Sequence, residues 1–419
     1  MILDKQTLDA KEFDTQSFVT TKELVNILDQ DEEFKEGLIK TFKVDTDKTE
    51  VLKIGNARQL LSSISLLDSQ CKKIDIVTKS KDVNLYKLLD AEKALFEILG
   101  IDDKFILKKN KSDILIAETR YLAKTDLLEQ FHFSKFANYC RDMKFDDLID
   151  RIKSYLKIKN ANNEELQKLR LVYKNEDNKF YIRAKTSSQD YKNFGINFSV
   201  FVALMSLNDY VEKTKNEIFI NNYVVDDSNL YVSFALKNRF VINNKLTLSF
   251  NLLLENDEVK RSAVSFNGIF KLKYAEKNRS SEIYLKPKGY KSEDVNYPTD
   301  LLTYPHRGSV RSVFEKIESL PTLINHYITQ IKNDAERISA IENPDDVRKL
   351  ISDKIKYAKK PEFKEYKGKV FNKLISISVD NTFKLFELLR QVEELFEHDD
   401  VISKDFWRTK LYEALIERK

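Results

Sequence analysis

Lys260, Arg261, Lys271, Lys273, Lys277, Arg279, Lys286, Lys288 and Lys291 place nine cations within residues 259–291, against only the carboxylates of Glu276 and Glu282. Phe266, Phe270, Tyr274, Tyr284 and Tyr290 are interleaved with them. Cations attract phosphate in a salt-dependent way, and rings stack on unpaired bases for about 1–3 kcal/mol each, so this composition suits a track for single-stranded nucleic acid. A solvated sheet face with its rings turned inward accounts for the same composition. A second group, Arg183, Lys185, Tyr191, Lys192 and Phe194, brackets the polar run 186–189. It fits the tip of a hairpin that grips a backbone, and it fits an ordinary surface turn. His306-Arg307-Gly308-Ser309 precedes a helical pattern, so its amides and Arg307 can hold an anion at a helix N-terminus. A cap or packed residue is the plainer explanation of His306.

The other residues able to do chemistry form no catalytic or metal-binding pattern. His132, His326 and His398 share no ligand spacing with one another or with Cys71 and Cys140. Asp226-Asp227, Asp345-Asp346 and Asp399-Asp400 are carboxylate pairs such as a magnesium nuclease uses, but each falls where a turn or helix start already explains it. Of the 8 glycines no two share a six-residue window, so no phosphate-cradling loop is present. The expectation is a protein without catalysis or cofactor.

The elements that must position these residues centre on 246–274. Two apolar, β-prone runs flank a polar turn at 255–261, and the second alternates Phe270, Leu272 and Tyr274 with Lys271 and Lys273. That period of two is a strand with one dry and one wet face. Across the whole chain of 419 residues Lys+Arg 71 nearly cancel Asp+Glu 67, but residues 166–310 carry 22 basic and 16 acidic groups, so the positive excess lies in the middle third. Two unpaired cysteines suit a reducing compartment. No run approaches the roughly 18–20 apolar residues of a membrane span, and the first residues are charged and lack a leader's apolar stretch. A soluble protein of the host cytoplasm, without a membrane partner, is expected.

In chain order, Thr20 or Thr21 caps a first helix, a strand at 51–54 leads into a helix over 58–67, and 74–78 is a second strand. The spacing of Leu88, Leu89, Leu95 and Ile98 predicts a helix over 84–99 with Gly100 as its C-cap. A hairpin at 105–108 and 114–121 and a helical region over 126–157 complete a small α/β unit spanning 1–160. Strands at 169–173, 180–185, 217–225, 230–236 and 282–286 join the central pair, with one helix at 197–210 packed on them, as a β-rich domain over 166–305. Asp226-Asp227-Ser228-Asn229 is hairpin-turn chemistry. All 6 prolines fall between residues 287 and 361, marking an irregular excursion and then a helical region over 306–419, whose first helix is expected to break near Pro321. The fold class is α+β.

Four stretches resemble a family of phage- and plasmid-borne proteins of uncharacterised function. Tyr181-Ile-Arg-Ala-Lys-Thr-Ser-Ser-Gln-Asp-Tyr191 is similar to that family's Arg-Ala, Ser, Tyr turn. Leu254-Glu-Asn-Asp-Glu-Val-Lys-Arg-Ser-Ala-Val-Ser-Phe-Asn-Gly268 resembles its Ser-Asn-Ser turn and following strand. His306-Arg-Gly308 before a long helix, and Asn381-Thr-Phe-Lys-Leu-Phe386, are similar to its His-Thr-Gly helix entry and late Thr-x-Trp helix. The likeness covers residues 180–398, lacks the family's Cys-x-Asn turn, and has Phe383 in place of tryptophan. It implies a mobile-element origin and, by analogy of layout with single-strand annealing proteins, a role in handling DNA. Two functions remain open. One is binding of single-stranded DNA on the sheet face by an oligomer, through Arg183, Lys185, Tyr191, Lys260, Arg261, Lys271, Lys273, Lys286 and Arg307. The other is a virion or assembly protein making mainly contacts with phage proteins or further copies of itself.

Overall fold

The computed structural model describes residues 6–9, 13–30, 32–90, 92–129, 133–259, 263–287, 302–306, 309–358, 363–396 and 401–416. Its longest hydrogen-bonded pair is the expected one: strands Leu246–Asp257 and Val264–Glu276 run antiparallel, with Leu248 opposite Leu272 and Phe250 opposite Phe270. Register and a pleat of period two put those side chains on one dry face, and Ser249 and Thr247 with Lys271 and Lys273 on the other. Strands Asn229–Leu236 and Ile218–Val225 continue the sheet on one side and Arg279–Leu285 on the other. Gln6–Asp9 pairs beyond Ile218–Val225, and Ile54–Gly55 adds the parallel contact. The turn at 226–229 forms as its residues require, because the Asp226 side chain accepts from the amides of Ser228 and Asn229 at 2.8 Å each.

Helix Ile196–Thr214 packs on this sheet and is apolar nearly all round, so it is buried on every side. Helices Val310–Ser339, Pro344–Lys356, Lys364–Ile375, Thr382–Glu393 and Val401–Ile416 extend the same core. The chain is α+β, with a central antiparallel sheet carrying a packed helix and a helical C-terminal region. The first C-terminal helix does not break at Pro321. A proline inside a helix costs about 3 kcal/mol, and the buried stripe of Ile317, Leu320, Ile324 and Ile328 through that turn offsets it. Gly268 lets the helix come close: a Cβ there would sit 2.1 Å from the Tyr327 ring.

A second, six-stranded sheet runs in the order Val83–Leu88, Ala94–Ile98, Leu115–Thr119, Lys179–Ser187, Leu166–Lys174, Cys71–Lys79. It has its own core, including Phe96, Ile98, Leu115, Leu169, Ile182 and Leu156. The strands expected at 169–173 and 180–185 therefore pair with the sheet of residues 71–119 and not with the central one. Leu24, Leu28, Phe34, Leu60 and Ile64 belong to the large core, so residues 71–187 lie in sequence between two parts of that core. The expected helix over 84–99 is two strands, Val83–Leu88 and Ala94–Ile98, whose turn is held by Asp90 accepting from the amides of Glu92 and Lys93. Leucines at 88, 89 and 95 match a helical period, but Ala94, Phe96 and Ile98 are buried alternately. Gly100 is left-handed at φ +67° and follows a strand. Residues expected to begin a hairpin form helix Lys104–Asn110, capped by the Asp103 side chain on the Ile106 amide. The helical region after it is three helices, Ala123–Glu129, Ser134–Asp142 and Asp146–Asn160. Among the described residues no helix is long and apolar enough to cross a membrane.

Candidate functional site

The alternation expected over Phe270–Tyr274 holds from Phe270 to Lys273, whereas Val264–Ile269 is buried on both faces, and the wet face is not a field of unpaired cations. Glu282 on the neighbouring strand stands opposite Lys273 and reaches Lys271 at 3.1 Å and Lys273 at 3.9 Å, so one carboxylate sits between both ammoniums. Lys286 pairs with Asp405 of the last helix, both side chains largely buried. The rings face inward or are covered: Phe270 meets Tyr412 edge-on at 6.0 Å, Tyr274 lies 5.4 Å from Phe386, and Arg408 covers the Tyr284 ring at 4.9 Å. Lys260, Arg261 and Arg307 lie outside the described residues, as do Lys288, Tyr290, Lys291, His132, His398, Asp399 and Asp400. Lys185 sits partly buried on strand Lys179–Ser187, opposite Leu169. Asp345 accepts from Arg348 and from the Val379 amide, a joint between helices.

Arg183 and Tyr191 meet where the two sheets meet, in a buried ionic knot. A bulge between Ile182 and Ala184 frees Arg183 from the ladder, and it lies fully buried with Arg170 of strand Leu166–Lys174. Glu258, just past strand Leu246–Asp257, answers both. Its Oε2 accepts from Arg183 at 2.9 Å and lies 3.8 Å from Arg170. Its Oε1 accepts from Lys73 and from the Ile196 amide, each at 2.8 Å, which sets a carboxylate at the start of helix Ile196–Thr214. Arg170 also pairs with Asp75 at 3.2 Å and donates to Asn193 at 2.7 Å. Tyr191 donates to the Glu258 carbonyl at 2.9 Å and stacks on His306, ring centres 5.3 Å apart. Arg183 donates to the Asp227 carbonyl at 2.7 Å, and Tyr121 donates to the Asp227 carboxylate.

Burial alone raises a carboxylate, but Lys73, Arg183 and Arg170 overcome it and hold Glu258 well below the usual carboxylate range. Burial pushes the Tyr191 hydroxyl up to about 12, with Arg170 opposing. Burial, reinforced by Arg170, lowers His306 to about 4. The knot thus holds a fixed carboxylate, a neutral imidazole and protonated phenols, with the lone pairs of Glu258 already engaged. Such an arrangement clamps the two sheets together. Among the described residues no cluster of His, Cys, Asp or Glu is arranged to hold a metal ion. Arg170, Glu258, Lys73 and Asp75 escaped the sequence reading. The signal available was a charge inside an otherwise apolar strand, Leu169-Arg170-Leu171-Val172-Tyr173.

The exposed feature that stands out is apolar. Helices Ser134–Asp142 and Asp146–Asn160 bury Ala137, Cys140, Ile149 and Leu156 and turn a second stripe outward. Phe136, Tyr139, Tyr155 and Ile158 are 44%, 53%, 61% and 75% exposed, joined by Met143, Phe145 and Leu148. The rings of Phe136, Tyr139 and Phe145 form a ladder with centres 6.4 Å and 6.1 Å apart. No family model matches the chain, and neither a curated protein nor a solved structure matches it, so the likeness to phage- and plasmid-borne proteins rests on the quoted motifs alone.

Proposed function

We propose that the protein is a non-enzymatic assembly component that docks other proteins through the aromatic surface of helices Ser134–Asp142 and Asp146–Asn160. One observation carries the reading: seven large apolar side chains, from Phe136 to Ile158, stand in solvent on one helical pair. Exposed apolar surface of this kind, joined at Phe136, Tyr139 and Phe145 by ring contacts, marks an interaction site, and aromatic residues and methionine are the types enriched at such surfaces. The motif resemblance supports a mobile-element setting inside a cell. Comparative capture from producing cells tests it with wild type and a Y139S/Y155S/I158S variant. Partners retained by wild type and lost by a folded variant support docking; identical sets overturn it.

A second reading, binding of single-stranded DNA, draws on the positive excess of residues 166–310, where 22 basic residues face 16 acidic ones. Filter binding across a salt series tests it, since phosphate-driven affinity is greatest at low salt.

A further inference from the structure

The small sheet ends at strand Val83–Leu88, whose outer edge pairs with no strand among the described residues. Helix Asp146–Asn160 lies beside that strand, and a groove of about 290 Å³ runs between them. Leu85, Phe96, Leu128 and Leu156 line it, with Lys153 and Lys157 on the helix wall and Glu97 as its one acidic residue. Two polar atoms on residues lining the groove are unspent. Asn160 is almost wholly buried; its Nδ2 donates to the Ser80 carbonyl, which fixes the amide, and its Oδ1 has no partner. The buried Nδ2 of Asn84 on the edge strand is also unpaired. Buried polar groups without partners are rare, and the unpaired main-chain edge of Val83–Leu88 beside them is what the N–H and C=O groups of an added strand pair with.

We infer that this groove takes an extended segment of a partner protein, added as a seventh strand, with an apolar side chain over Phe96 and Leu156 and an acidic one against Lys153 and Lys157. The edge strand bulges between Leu85 and Lys87, so the guest ladder runs along residues 83–85 and leaves the edge at Tyr86. Charge selects the guest: Lys157, with Lys153, which also reaches the exposed Asp150 at 3.3 Å, stands on the helix wall against Glu97 and favours a carboxylate. The inference goes beyond the aromatic surface and does not depend on it. Tyr155 and Ile158 lie on a different side of the helix from Lys153 and Lys157, which are about 100° or more away around its axis.

Fluorescence anisotropy with the full-length protein and three ten-residue probes tests it: an alternating Val/Asp/Thr peptide, its Lys-for-Asp counterpart, and the first peptide with alternate backbone nitrogens methylated. The acidic probe is expected to bind, the other two at least about tenfold more weakly. K153E/K157E is expected to reverse the preference between acidic and basic probes. Both lysines reach solvent, so the variant should fold, and near-UV circular dichroism checks that it does. Equal binding of the methylated probe, equal binding of the basic probe, or no binding of any probe at about 1 mM overturns the proposal. The Y139S/Y155S/I158S variant is expected to bind the acidic probe unchanged, so loss of aromatic docking and loss of strand addition are separate results.

Discussion

Glu258 accepts from Arg183 at 2.9 Å with both side chains withdrawn from solvent, while Arg170 stands 3.8 Å from the same oxygen. Removing one partner from a buried pair leaves uncompensated charge, at about 3–5 kcal/mol. E258Q keeps the shape and removes the charge that opposes Lys73, Arg170 and Arg183. Urea unfolding should show a loss of that order, and a loss below about 1 kcal/mol would mean that water screens the knot.

His306 gives the protein a pH response of known sign. Buried beside Arg170, it stays neutral down to about 4, whereas in the unfolded chain it takes up a proton near 6.5. Between those values the unfolded state binds more protons, so stability falls as pH drops from about 6.5 to about 4, and the contribution is fully lost below that. H306F keeps a ring against Tyr191 and removes the titration. The stability of wild type minus variant should fall by up to about 3 kcal/mol between pH 7 and pH 4. A flat difference would show the imidazole to be reached by solvent.

Gly268 faces Tyr327 so closely that G268A must displace the ring, whose nearest atom would lie 2.1 Å from the new methyl. Overpacking of this kind costs typically 1–3 kcal/mol, read as a fall in melting temperature. Adding Y327A should recover part of the loss caused by G268A, because that loss comes from the ring. Additive losses would place the strain in the strand.

Lys271 and Lys273 share the Glu282 carboxylate, so removing that carboxylate raises the positive charge this face offers a polyanion. If the DNA reading is correct, E282Q should bind single-stranded DNA several-fold more tightly than wild type at about 50 mM salt, and K271E/K273E more weakly. Indifference to both changes would show that DNA does not meet this face.

The central strand pair was legible because one of its faces is dry, and the alternation of Phe270, Leu272 and Tyr274 with Lys271 and Lys273 records that directly. The ion pairing on its other face was not legible. It depends on the tight turn at Lys277, φ 55°, which brings Glu282 opposite Lys273, and on Asp405 arriving from the last helix. Glu258 resembled turn polarity because its partners, Lys73, Arg170, Arg183 and the Ile196 amide, arrive from distant parts of the chain. The aromatic surface hid for a related reason: Phe136, Tyr139 and Met143 have helical spacing, as core residues do, and only the packed neighbours reveal which stripe is left outside. Leu88, Leu89 and Leu95 match a helical period, and the strand pairing of Val83–Leu88 with Ala94–Ile98 overrode it.

Residues 71–187 complete their own sheet from their own strands, whereas Leu24, Phe34 and Leu60 rest against Phe198, Phe201 and later residues. A ribosome adding about 5–20 residues per second therefore releases residues 24–64 long before their later packing partners exist. The inserted sheet can form first, leaving the helices that precede it to wait for the residues that follow it.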